Sequence, residues 1–168
     1  MNIFRELMAI KRFREGQAEL AVTRQRQALA EAERQRVQAL EKLDEYRDWS
    51  VRRERDMYQD LCSRLVHVRD IEDVMQGVAD LRQGERDCEA RAEQAADQER
   101  LETEALAARR EAHRDASRMV EKFVQLASLH AADELRETER KEDLELEEAA
   151  SVARDRDDWL HHDEYEPA

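Results

Sequence analysis
The residues with chemistry to offer are His161, His162 and Asp163 near the end of the chain, Cys62 and Cys88 in its middle, and an abundance of carboxylates. A His-His-Asp run could hold a metal ion, thiols could pair or ligate, and carboxylates could move protons. None of the three is organised for it. Adjacent histidines on a polar tail are ordinarily solvated, His-x-x-x-His and Cys-x-x-Cys spacings do not occur, and the acids lie among other polar residues. A glycine-rich phosphate loop and a Ser/His/Asp or Cys/His arrangement are also missing. The expectation is therefore no catalytic residue, no cofactor and no metal.

The elements that carry these side chains follow from composition. The chain is 42% charged, 40% hydrophobic and 5% aromatic, with three glycines and one proline, which is the composition of long helices. Of the hydrophobic residues 24 are alanine, too small for a deep core but suited to close approach of two helices. The fold class expected is all-α, two long helices forming an antiparallel coiled-coil hairpin. Phe4, Leu7, Ile10 and Phe13 recur at a spacing of three, and Met119, Val120, Phe123, Leu126 and Leu129 form a second apolar cluster. A turn near position 66 or 67 would make facing residue numbers add to about 133 and pair Phe4 with Leu129, Leu7 with Leu126, Ile10 with Phe123 and Phe13 with Val120. A turn at Gly84 would instead set Phe4, Leu7 and Phe13 against Glu164, His161 and Asp155.

The turn falls in Cys62 to Asp73, where Val66-His67-Val68 lowers helix propensity and Asp70 can serve as an N-cap followed by Glu72 and Asp73. The first helix is expected over 3–62, about 90 Å long at 1.5 Å per residue. The turn spans 63–69 and the second helix 70–154, so that 1–154 is a hairpin and 155–168 an acidic, disordered tail. Gly77 and Gly84 then lie inside the second helix, each costing about 1 kcal/mol relative to Ala. In this register the two cysteines are about 25 Å apart, too far to bridge, which favours reduced thiols.

Along the first helix, Ala18, Val22, Gln25, Leu29, Ala32, Arg36, Ala39, Leu43 and Tyr46 alternate in steps of four and three, a heptad seam with polar interruptions that can set register. On the second helix, Leu101 and Leu106 are expected to face small residues across the thin part of the seam. Near the turn the seam gains Trp49, Met57, Leu61, Leu65, Ile71, Val74, Met75 and Val78. This is more large apolar surface than one seam can bury, so the surplus reads as a binding surface. Beyond residue 132 the second helix has no partner from the first, and carries Leu135, Leu144 and Leu146 among acids.

Net charge is −13 and unevenly spread: 15 basic against 13 acidic groups in residues 1–70, 9 against 14 in 71–132, and 5 against 15 in 133–168. Such a tail repels phosphate, which excludes nucleic acid as a partner. With no run of about 20 apolar residues and no basic segment leading into an apolar one, neither membrane insertion nor a signal peptide is expected. A cytoplasmic location follows.

Four short segments resemble the YscO family of type III secretion stalk proteins, relatives of flagellar FliJ. Ile10-Lys11-Arg12-Phe13-Arg14 is similar to that family's N-terminal pattern, and Tyr46-Arg47-Asp48-Trp49, ahead of Arg52-Arg53-Glu54, to its tyrosine-tryptophan element. Arg69-Asp70-Ile71-Glu72 resembles the start of the second helix, and Leu81-Arg82-Gln83-Gly84-Glu85 the leucine-arginine segment after it. The resemblance implies a noncatalytic stalk, similar to the coiled coil of the rotary ATP synthase gamma subunit, between a hexameric secretion ATPase and an export gate protein. It also implies contact with substrate chaperones and recruitment to the cytoplasmic face of the inner membrane. The ATPase-binding residues it implies are Ile10, Lys11, Phe13 and Arg14; the export-gate-binding residues are Leu43, Tyr46, Trp49, Val74 and Val78. The competing class is a generic cytosolic coiled-coil scaffold that self-associates through the tip.

Overall fold
The computed structural model describes residues 3–162 as two helices, α1 (Ile3–Ser63) and α2 (Val68–His162), with no strand among the described residues. Strong helix formers, together with pairs one turn apart such as Arg34 with Glu31 and Gln76 with Asp80, support helix throughout. The chain divides into two compact units, Phe13–Ala116, and Met1–Arg12 with Ser117–Ala168.

In the first unit α1 and α2 pack antiparallel around a connection of four residues, Arg64 to His67. Asp70 is not the N-cap. The His67 carbonyl accepts the first helical bonds, from the Asp70 and Ile71 amides at 3.0 and 3.4 Å. The Asp70 carboxylate reaches back to the His67 amide at 2.8 Å. This is one half of a capping box, the acid three residues into the helix bonding the N-cap amide, and it fits an α2 that starts two residues before Asp70. Arg64 reinforces it, with its guanidinium 3.4 Å from Asp60 and 3.9 Å from Asp70.

The seam of this unit buries Val22, Ala32, Leu43 and Ser50 of α1 against Val78, Leu81, Ala92 and Leu106 of α2. Its polar interruptions are paired. Gln25 donates to the Glu102 backbone carbonyl at 3.2 Å and also bonds its carboxylate, and Arg36 meets Glu99 at 3.0 Å. Arg47 spans Glu85 and Glu89 from the seam's edge. All these pairs fall within a few residues of the register in which facing numbers add to about 133. One helical position departs from expectation: Ser50, not Trp49, occupies the seam, and its hydroxyl donates to the Arg47 carbonyl. Leu101 also departs, lying exposed while Leu106 is buried.

In the second unit the register holds but the face is shifted. Phe4 packs on His130 with ring centroids 4.7 Å apart, and the Lys11 ammonium lies 5.0 Å from the Phe123 ring centroid. Leu7, Ile10, Leu126 and Leu129 are exposed. A spacing of three drifts around a helix of 3.6 residues per turn, so four such residues cannot share one seam. Steps of four and three, through Phe4, Met8 and Lys11, hold the face instead.

α2 continues through 155–162, which the composition assigned to a disordered tail. The side chains of His161 and His162, and Asp163 with the rest of 163–168, lie outside the described residues. From Ala131 to Asp157 every side chain is exposed, Leu135, Leu144, Leu146 and Val152 included. No helix among the described residues is long and apolar enough to cross a membrane.

Candidate functional site
A seam only one side chain wide leaves its flanks open, and the candidate surfaces lie there. Early in α1, Ile10 is 50% and Phe13 67% exposed, and Arg14 is open to solvent. Lys11 differs from these three. It is half-buried and its ammonium is engaged with Phe123, a cation–π contact worth about 0.5–1 kcal/mol at such a site.

The five residues expected to meet an export gate, Leu43, Tyr46 and Trp49 late in α1 and Val74 and Val78 early in α2, separate into two groups. Leu43 and Val78 are each only 6% exposed and belong to the hairpin's core, so a partner can reach neither while the helices stay paired. Their burial corrects the expectation that they form part of an outer surface; both fall on the heptad positions that face the other helix. Val74 is half-buried. Tyr46 is also half-buried, and its hydroxyl donates to the Leu81 carbonyl at 3.1 Å. Desolvation pushes the Tyr46 phenol above its ordinary pKa, with the neighbouring Cys88, Asp87 and Glu85 acting in the same direction. Trp49 is 48% exposed and leans on Tyr46, with ring centroids 5.4 Å apart.

The opposite flank holds residues that sequence reasoning passed over. Val51, Tyr58 and Cys62, with Glu54, Arg55 and Gln59, line a shallow apolar groove of about 460 Å³. At about 100° per residue, Trp49 and Val51 project to either side of Ser50. The spacing of seven between Val51 and Tyr58 marks this second stripe. At the connection, Leu65 is almost fully exposed, and Val68 and Met75 extend the apolar surface.

Among the described residues nothing in this geometry activates a nucleophile or gathers ligands. Among the described residues no cluster of three or more His, Cys, Asp or Glu is placed to hold a metal ion, and both cysteines are free. What the arrangement can do is bind: aromatic and aliphatic groups are held outward by a helix whose other face is locked.

The solved structure of type III secretion protein YscO from Vibrio parahaemolyticus is similar, with a TM-score of 0.83 and 26% sequence identity over 87% of this chain and 92% of that one. No curated protein matches. The family described as type III secretion protein YscO matches residues 4–152, and with most of its length covered the chain belongs to the YscO family.

Proposed function
We propose that this protein is the noncatalytic central stalk of a type III secretion system. It links the hexameric export ATPase to an export gate and promotes handling of substrates and their chaperones. It works at the cytoplasmic face of the inner membrane without entering it. The observation that carries this reading is the distribution of exposed apolar groups on α1, Ile10 and Phe13 early and Trp49, Val51 and Tyr58 late, in a member of a secretion family. Early residues, with Arg14 and the outer edge of Lys11, bind the ATPase. The late residues of α1 bind the gate through Trp49 and the open edge of Tyr46, joined by the open edge of Val74 from α2.

The test is hydrolysis and hexamerisation of the ATPase from the same secretion locus, with and without this protein. Stimulation should appear and should vanish with Ile10→Asp/Phe13→Asp. A folded, helical protein that leaves hydrolysis unchanged would sink the reading. A second reading, a scaffold that self-associates through its tip, is favoured by one feature, the nearly complete exposure of Leu65 beside Val68 and Met75. Sedimentation of the chain with and without Leu65→Glu decides between them.

A further inference from the structure
Within the unit Phe13–Ala116, the hairpin treats its seam cations in two ways. Arg36 and Arg47 of α1 each face glutamates of α2. At the level of Val22 the pattern inverts. A notch of about 560 Å³ is lined by Thr23 and Arg26 from α1 and by Arg110, His113 and Arg114 from α2, so that cation faces cation across the seam. Its acids are few. Glu19 lines one edge, and Glu111 is paired with Arg114 at 2.7 Å along the same helix. Arg26, Arg110 and His113 have no hydrogen-bond or ion-pair partner among the described residues. Unpaired guanidinium groups opposed across a helix pair repel one another, and the repulsion is relieved when an anion lies between them.

We propose that this notch is a docking site for an acidic helix of a partner protein. Three features select that occupant. Arg110 and Arg114 are one turn apart on one helix face, a spacing of about 6 Å that matches carboxylates placed one turn apart on a facing helix. Guanidinium groups bind carboxylates through two parallel hydrogen bonds, which rewards a partner that fixes both. The notch is open and has Val22 at its floor, giving it room for a helix with small side chains between its acids. A long polyanion such as nucleic acid would be opposed by the chain's net charge of −13, whereas a short acidic helix carries few charges beyond the notch.

The experiment is fluorescence anisotropy with the full chain and a labelled alanine-based helical peptide carrying glutamate at every fourth position. Saturable binding is expected at low salt, falling as ionic strength rises. Arg110→Gln/Arg114→Gln and, on the other helix, Arg26→Gln should each weaken it at least about tenfold. Arg52→Gln/Arg53→Gln, on an exposed stretch of α1, should leave it unchanged; circular dichroism confirms that all variants remain helical. No binding overturns the proposal. So does equal binding of the glutamine version of the peptide, equal weakening by the Arg52/Arg53 variant, or displacement by inorganic tripolyphosphate more readily than by unlabelled peptide.

Discussion

The Tyr46 hydroxyl donates to the Leu81 carbonyl across the seam, and the ring that delivers it lies directly over Gly84. A Cβ at Gly84 would collide with the phenol oxygen, leaving no room for the contact. Gly84 is therefore a socket for Tyr46, and its poor helix propensity is offset by the packing it allows.

The three glycines should accordingly respond differently to alanine. Gly16 has open space where a Cβ would go, so Gly16→Ala should stabilise by about 0.5–1 kcal/mol. Gly84→Ala should lower stability despite the same propensity gain, because the ring must leave Leu81. Gly77→Ala should fall between them, since the atom it meets is the flexible end of Met57. Urea unfolding of the three variants measures the order, and a stabilised Gly84→Ala would refute the socket.

Tyr46 should also confer a pH dependence at high pH. Its phenol pKa is raised in the folded state, so the folded chain holds the proton more tightly than the unfolded chain. The associated stability is fully present below the unfolded value of about 10 and is lost as pH rises through the folded one. The Tm of the parent should therefore fall more steeply above pH 10 than that of Tyr46→Phe. At neutral pH Tyr46→Phe should cost about 1 kcal/mol for the missing hydrogen bond.

The connection depends on Asp70. Asp70→Ala removes the acceptor of the His67 amide and should cost about 1 kcal/mol. Hydrogen exchange should locate the loss, with amides just after Val68 exchanging faster and those around Leu106 little changed. Uniform protection of the first turn in the variant would show that the box contributes nothing.

Fold and binding are separable in the late part of α1. Leu43→Asp places a charge in the seam and should unfold the hairpin or cost several kcal/mol. Trp49→Ala removes an exposed ring and should shift stability by roughly 1 kcal/mol at most. The same change should weaken association with the export gate protein in a pull-down with purified components. Unchanged association would remove Trp49 from the proposed surface.

Much of the hairpin is legible in the residue order. Steps of four and three from Ala18 to Tyr46 specify a seam, and the β-branched run at Val66-His67-Val68 marks where helix gives way. The candidate surface was less legible. Leu43, Trp49 and Val78 look alike in a list of large apolar residues, yet two are core and one is open, because a helix turns by about 100° per residue and a small shift in the assumed face exchanges inside for outside. The groove at Val51 and Tyr58 is hard to read in the sequence for the same reason: its stripe lies beside the seam and shares the seam's period of seven.

The sequence by itself determined the helical class, the antiparallel register and the places, Gln25 and Arg36, where polar groups interrupt the seam. These depend on periodicity and charge, which are properties of residue order. Only tertiary structure decided which flank each large side chain takes, that Gly77 and Gly84 receive Met57 and Tyr46, and that Arg26 and Arg110 line one notch. Those outcomes depend on how closely two helices approach and at what rotation, and that is set jointly by every side chain along the seam.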